Sequence, residues 1–147
     1  MIEELLKATI ETLYMTFFST LIAFMAGLPL GILLYLLSKK KDHASKIIYT
    51  FFDFIINIFR SIPFIILIIL LIPLTKLIAG TIIGANSAIV SLSIAAIPFM
   101  ARLCENSFNS LSHEMLDTAS SMGMTTCQLI TKVLIPESLP EIISNTT

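Results

Sequence analysis

Charged residues are scarce in this sequence. Only 13% of its 147 residues are Asp, Glu, Lys or Arg, whereas 56% are hydrophobic and the mean hydropathy is +0.93. Because soluble domains carry about 25% charged residues, the composition excludes an ordinary soluble domain and predicts a protein embedded in a bilayer. The net charge is -1, and the basic residues are distributed by membrane side rather than gathered into one surface patch. This pattern predicts no nucleic-acid partner.

Cysteine is also scarce, and the sequence lacks the motifs of catalytic and metal sites. Cys104 and Cys127 lie far apart with no CxxC pair and no neighbouring histidine, so we expect buried free thiols and no metal site. His43 and His113 have no partners at ligand or catalytic spacing and are expected to be solvated loop residues. No serine or threonine stands in a nucleophile elbow or beside a base, so we expect no enzymatic chemistry in this chain.

The phosphate-binding sequence G-x-x-x-x-G-K-[ST] is absent. The chain therefore cannot bind a nucleotide by the P-loop route, and we expect no cofactor of its own. Any ATP must be bound by a partner. Glu3 and Glu4 stand where a signal peptide needs basic residues, and the apolar run that follows is too long for such a peptide. We expect this run to remain as a membrane anchor.

Long hydrophobic runs are what the sequence does have. The first run, residues 12–38, would be about 40 Å long as a helix, which exceeds the roughly 30 Å hydrocarbon layer. Residues 47–75 predict a second spanning helix kinked near Pro63, because neither half is long enough alone. Residues 85–104 predict a third. We therefore expect an all-α membrane protein with three transmembrane helices and cytoplasmic helices after them.

Small residues mark the faces on which these helices pack. Ala23, Gly27 and Gly31 recur at every fourth position of the first run, which lets another helix approach closely. This stripe fits either packing within the chain or a seam between two copies. Pro29 is expected to kink the same helix. The third run carries a similar stripe, formed by Ser87, Ser91 and Ala95.

The lysines predict the orientation in the membrane. A dense basic cluster occupies the loop 39–46, which the positive-inside rule assigns to the cytoplasm, so the N-terminus should lie outside. On this topology seven basic residues lie inside and two outside. The inner set is Lys39, Lys40, Lys41, Lys46, Arg60, Arg102 and Lys132, and the outer set is Lys7 and Lys76.

Arg60, followed by Ser61 and Pro63, is a candidate for the translocation path or its gate. An arginine within a membrane segment is a functional candidate by default. It could pair with Asp53 or with an acid such as Asp117, or it could face a water-filled path. Equally, it could extend its side chain to the cytoplasmic headgroups without any such role.

A polar segment, residues 105–136, follows the third run on the cytoplasmic side. Gly123 is placed to end one short helix in a left-handed conformation, and Thr125 with Gln128 forms a capping-box pattern that begins another. Pro136 is expected to stop that second helix. Two short helices at a membrane surface are suited to binding a partner. Residues 137–147 predict the start of a fourth membrane helix.

This segment resembles the EAA loop of ABC importer permeases, whose pattern is Glu-Ala-Ala, three residues, Gly, nine residues, Ile, any residue, Leu, Pro. The spacing is matched throughout. Three positions are identical and four are conservative changes; the identical ones are Ala119, Gly123 and Pro136, and the changed ones are Asp117, Thr118, Val133 and Ile135. Residues 27–31, 57–67, 98–102 and 132–140 further resemble the permease subunits of methionine ABC importers, the inner-membrane components of binding-protein-dependent transport.

The resemblance implies a homodimeric permease of the type I importer fold in the plasma membrane, with five spanning helices per subunit. It implies two cytoplasmic ATPase subunits, which hold the ATP, and an extracytoplasmic methionine-binding lipoprotein. The seven EAA-loop positions would then form the dock for the ATPase, and ATP-driven closure would switch the helices between inward-open and outward-open states. Methionine as the substrate rests on the resemblance alone.

The resemblance also implies two more membrane helices than this sequence provides. We therefore expect a permease truncated at its C-terminus that inserts but transports poorly or not at all by itself, unless the remainder is supplied elsewhere. One alternative is a non-transporting membrane protein that binds or regulates the ATPase. Another is a permease for a different amino acid.

Overall fold

The computed structural model describes residues 1–40, 42–111, 118 and 121–146, although the side chains of residues 127, 145 and 146 are left out. Helices make up nearly all of this part, and no strand occurs within it. The elements are α1 (Ile2–Lys39), α2 (His43–Ser61), α3 (Phe64–Ala79), α4 (Ala85–Ser110), α5 (Thr126–Leu129), a π-helical turn (Ile130–Leu134) and α6 (Ile135–Thr146).

Helices α1 and α4 form the centre of the bundle, and glycines allow their close approach. A Cβ atom on Gly27 would lie 2.7 Å from the Cβ of Met100, and one on Gly31 would lie 2.6 Å from the Cβ of Cys104. Real Cβ atoms do not approach so closely, so only glycine fits at these two levels. The small-residue stripe thus packs within the chain, which was the first of its two interpretations.

Helix α3 packs on the small-residue face of α4. The hydroxyls of Thr75 and Ser91 are 2.7 Å apart and buried, and Ala95 packs against Leu67 and Leu71. The hydroxyl of Ser87 donates to the carbonyl of Thr81 at 2.9 Å, which ties the connection between α3 and α4 to the start of α4. The stripe of Ser87, Ser91 and Ala95 is therefore a packing face, as predicted.

A sharp break separates α2 from α3. Their axes differ in direction by 113° across Ile62 and Pro63. Ile62 is extended (φ -79°, ψ 129°), because the ring of the following Pro63 clashes with the backbone of a preceding residue in the helical conformation. Within the described residues, α1 and α4 are each long and apolar enough to cross a membrane, whereas α2 and α3 meet that test only together.

Several helix bounds differ from the predicted ones. Helix α1 begins at Ile2, ten residues before the uncharged run, because a few charges do not oppose helix formation. Helix α4 continues to Ser110, so the first residues of segment 105–136 belong to it. His43, expected in a loop, is the exposed first residue of α2, and His113 lies outside the described residues.

The prediction that Pro136 ends its helix is wrong. The chain stays helical from Thr126 to Thr146, with Pro136 at the second position of α6. The π-helical turn just before it explains this, since the amide of Ile135 donates to the carbonyl of Ile130, five residues back. A π-helical turn shifts which carbonyl faces each following amide. Pro136, which has no N–H to donate, can therefore follow the turn without breaking the helix.

Candidate functional site

Beyond the residues that belong to α4, the described part of the predicted docking segment contains an exposed glycine turn. Gly123 has a φ of 72°, which confirms its predicted left-handed conformation, and a Cβ there would meet no atom within 4 Å. The amide of Met122 donates to the carbonyl of Thr118 at 3.1 Å, and the Met122 side chain is 74% exposed. Asp117 and Ala119 lie outside the described residues. The turn therefore presents open surface on which a partner could lie.

A capping box fixes the direction in which α5 leaves this turn. The amide of Thr125 donates to Oε1 of Gln128 at 3.0 Å, and the amide of Gln128 donates to Oγ1 of Thr125 at 3.4 Å. Each bond satisfies an amide that the helix itself leaves unpaired. The predicted box is confirmed, and its two local hydrogen bonds define where α5 begins.

Further along the segment, Leu129 and Leu134 pack against the bundle. Leu134 is fully buried and packs in a cluster with Phe108 of α4. Val133 and Ile135 on either side are half-buried, while Pro136 is exposed. The other buried members of this cluster are Tyr35, Met100, Cys104 and Ile142. The segment thus contacts the bundle through Leu134 and Leu129, while Gly123 and Met122 remain exposed.

The second candidate site lies at the break between α2 and α3. Arg60, Ser61 and Pro63 are exposed there, and the Ser61 hydroxyl donates to the carbonyl of Asn57 at 2.7 Å. Arg60 lines a cavity of about 560 Å³ and forms no ion pair with any residue that the structure describes. The cavity is otherwise apolar; its remaining lining residues are Phe59, Ile62, Pro63, Phe64, Leu67, Ala95, Ala96 and Phe99.

The carboxylate of Asp53 pairs with a different cation. It forms an ion pair with Arg102 of α4, so the proposed pairing of Asp53 with Arg60 is wrong. Arg102 also donates from Nη1 to Oε2 of Glu105 at 2.7 Å, and the hydroxyl of Tyr49 donates to Oε1 of Glu105 at 2.9 Å. Nδ2 of Asn57 donates to Oδ2 of Asp53 at 3.0 Å. These five residues form a polar cluster between α2 and α4.

The cluster is largely shielded from solvent. The side chain of Glu105 is only 2% exposed, that of Arg102 14% and that of Asp53 31%. Carboxylates so placed require a paired cation, because an unpaired buried charge is very costly. One buried donor, Nε of Arg102, has no partner among the described residues. The cluster has no arrangement of nucleophile and base; its evident effect is to hold α2 against α4.

Comparison with known proteins identifies the family. The sequence model of the family described as "Binding-protein-dependent transport system inner membrane component" matches residues 27–147 of this chain. The chain belongs to this family.

Curated members of the family are similar along most of this chain. The probable D-methionine transport system permease protein MetI of Pasteurella multocida is 45% identical over 95% of this chain and 64% of its own length. The D-methionine transport system permease protein MetI of Escherichia coli (strain K12) is 43% identical over 97% of this chain and 66% of its own length. The chain thus spans about two thirds of the length of these relatives.

A solved structure of the family confirms the all-α fold. It shows inward-facing conformations of the MetNI methionine ABC transporter, with a TM-score of 0.89 and 43% identity over 95% of this chain and 65% of that one. An amino acid ABC transporter with histidines matches at a TM-score of 0.56 and 22% identity, which shows a shared fold only. The chain has the fold of a type I ABC importer permease.

Sequence reasoning on this binding-protein-dependent permease missed the Arg102 cluster. It counted Arg102 only among the inner basic residues, and it considered Asp53 only as a possible partner of Arg60 on the same segment. A signal was present in the spacing: Tyr49, Asp53 and Asn57 lie on one face at intervals of four, and Arg102 and Glu105 are three apart. Two polar stripes on separate membrane helices are expected to meet, because exposure of either stripe to lipid would cost free energy.

Proposed function

We propose that this chain is the permease subunit of an ABC importer that moves an amino acid, methionine, inward across the plasma membrane by ATP-driven alternating access. The ATP is bound and hydrolysed by a separate ATPase subunit, and a binding lipoprotein delivers the substrate outside. Two permease subunits form the path. The names of the family members that match most of the chain support methionine as the substrate.

The observation that carries this proposal is the exposed left-handed turn at Gly123, followed at once by the capped start of α5. This turn lies at the spacing of the EAA loop. Its surface is open, since no atom lies within 4 Å of a Cβ placed on Gly123. An ATPase groove could therefore receive the turn, with Asp117, Thr118 and Ala119 just before it.

The proposed coupling runs through Leu134. Docking holds the turn, and the chain from Thr126 to Thr146 is one continuous helical rod. Because Leu134 is buried beside Phe108, a displacement of the rod acts on α4 and, through the glycine contacts, on α1. The half-buried Val133 and Ile135 are not placed to contact the ATPase. Together with Pro136 they would instead set the shape of the rod at the π-helical turn. Closure of the ATPase dimer would thus move the bundle.

The orientation follows from charge. With Lys39, Lys40 and Lys46 on the cytoplasmic side, the N-terminus lies outside and the Gly123 turn lies inside, where an ATPase is found. Arg60, Ser61 and Pro63 border the cavity at the break between α2 and α3, and we propose this region as part of the translocation path or its gate.

Replacing Gly123 with Arg tests the docking site. The variant adds a bulky cation to the turn and should abolish co-purification of the ATPase while leaving membrane insertion unchanged. Gly80→Arg is a matched control, because Gly80 also ends a helix with φ of 74° and open space around it, but lies at the opposite end of α3 from the break. Both variants carry the same backbone strain and the same charge.

Retention of the ATPase by Gly123→Arg would overturn the docking site. Loss of the ATPase in both variants would point to a general defect rather than to docking. Methionine uptake in vesicles that contain the full assembly tests transport itself. ATPase binding that occurs without any ATP-dependent uptake would favour a regulator of the ATPase over a permease.

A further inference from the structure

Arg60 lies deep within the membrane-spanning part of the bundle. Asp53, nearer the start of α2, pairs with Arg102 of α4. Further along α2, Arg60 lines the same cavity as Ala95 and Ala96, which lie well inside the predicted span 85–104. Between residue 95 and residue 104 a helix rises about 13 Å. Arg60 is therefore near the middle of a hydrocarbon layer that is roughly 30 Å thick.

A guanidinium at this depth needs an anion or a water-filled cavity. Arginine keeps its charge in proteins, and a charged side chain in contact with lipid near the centre of a bilayer is costly. Snorkelling to the headgroups is open to arginines near the membrane surface, and this residue lies far from it. The Arg60 side chain is exposed and has no ion pair with any residue that the structure describes.

The cavity beside Arg60 has the size and the lining of a small-molecule site. Its volume of about 560 Å³ falls within the range of about 300–1,000 Å³ that such sites occupy. Among its described lining residues, Arg60 is the one charged side chain and no residue is acidic. The walls are otherwise apolar, with aromatic rings at Phe59, Phe64 and Phe99. The cavity is thus complementary to a molecule with one carboxylate and an apolar side chain.

The proposed substrate has both of these features. A guanidinium can bind the carboxylate of methionine through two parallel hydrogen bonds. The thioether of methionine is apolar and makes favourable contacts with aromatic rings. The ammonium group has a backbone acceptor nearby: the carbonyl of Phe59 lacks its helical partner, because residue 63 is a proline without an N–H. Backbone groups released where a membrane helix is broken commonly bind charged groups of substrates.

We propose that the cavity at the break between α2 and α3 is a substrate subsite, in which Arg60 binds the carboxylate of an amino acid and the aromatic wall binds its apolar side chain. The choice of methionine as that amino acid rests on the proposed function. The subsite would hold the substrate halfway across the membrane. The permease would then discriminate against polar side chains by itself, without a binding protein.

The absence of tryptophan allows a direct binding assay. Phe99→Trp places a fluorophore in the cavity wall, and the full chain in detergent is titrated with L-methionine and with L-methioninol, in which a hydroxyl group replaces the carboxylate. We expect methioninol to bind at least about tenfold more weakly, because the charged hydrogen bonds to Arg60 are lost. Phe18→Trp on α1, outside this cavity, should respond to neither ligand.

Three results of this titration would overturn the subsite. They are the absence of any response of Phe99→Trp to methionine, equal affinities for methionine and methioninol, and an equal response of Phe18→Trp, which would show non-specific partitioning.

Arg60→Gln in the Phe99→Trp chain tests which residue binds the carboxylate. The affinity for methionine should fall at least about tenfold and come within about twofold of that for methioninol, since neither ligand then meets a cation. Arg60→Lys keeps the charge and should keep a preference for methionine. Lys76→Gln removes a cation from the other end of α3 and should change neither affinity. An undiminished preference for methionine in Arg60→Gln would overturn the role of Arg60.

L-Glutamine tests the apolar wall. Its side chain is similar in length to that of methionine but ends in an amide, which would lose hydrogen bonds to water inside the cavity. We expect glutamine to bind the Phe99→Trp chain at least about tenfold more weakly than methionine. Equal affinities for the two amino acids would overturn the assignment of the wall to the side chain.

These titrations need no ATPase, so the subsite and the proposed function can fail separately. Carboxylate-dependent binding at the cavity, in a chain whose full assembly shows no ATP-dependent uptake, would support the subsite and overturn transport alone. Methionine uptake by the full assembly that is unchanged in Arg60→Gln would support transport and overturn the subsite alone.

Discussion

Arg102 neutralises two carboxylates from two different helices. Asp53 reaches it from α2, and Glu105 reaches it from one turn further along α4. Glu105 has almost no access to solvent, so water cannot replace the arginine if it is lost. At the scale of single residues, Arg102 is therefore paired and shielded, whereas Arg60 is exposed and has no ion pair with a described residue, although both lie within predicted membrane segments.

Replacing Arg102 with Leu should therefore destabilise the protein by about 3 kcal/mol, since a buried carboxylate loses its partner. Thermal unfolding in detergent measures this. Arg60→Leu removes the same kind of side chain from an exposed position without an ion pair to any described residue, and should change stability by no more than about 0.5 kcal/mol. Similar losses in the two variants would contradict the importance of the cluster.

At the scale of elements, the capping box makes a local prediction. Thr125→Ala should cost the helix start about 1 kcal/mol, because the amide of Gln128 loses its acceptor. Hydrogen exchange of the amides at the start of α5 should quicken several-fold, while those of α4 stay protected. Thr125→Ser keeps the hydroxyl and should behave as the original. Unchanged exchange in Thr125→Ala would show that the box does not hold the turn.

The elements also show what could be predicted from residues alone. The glycine stripe, the left-handed Gly123 and the capping box depend on local chemistry, so they could be predicted. The π-helical turn could not, because a proline normally marks a helix end and the wider turn that accommodates Pro136 has no sequence signature of its own. The partner of Asp53 depends on how α2 packs against α4, which no local pattern gives. The direction of α3 depends on the 113° angle at Pro63. An X-Pro pair predicts a break but not its angle.

At the scale of the whole molecule, hydropathy alone predicted an all-α membrane protein, and the family and fold agree with it. The orientation stays a prediction. In a background with Cys104→Ala and Cys127→Ala, a membrane-impermeant maleimide should label Lys7→Cys in intact cells. It should label Lys40→Cys only after permeabilisation, because the lysine cluster is assigned to the inside. The reverse pattern would contradict the proposed topology.

The contact between α1 and α4 limits how these helices can change in length over evolution. Gly27 and Gly31 each meet one specific level of α4, at Met100 and at Cys104. One residue inserted before Gly27 leaves the pair intact, but one inserted between the two glycines turns the second away by about 100° and brings a side chain onto the backbone of α4. Indels should therefore be excluded from this short stretch of α1 and tolerated in the connection around Gly84, where φ is 105° and space is open.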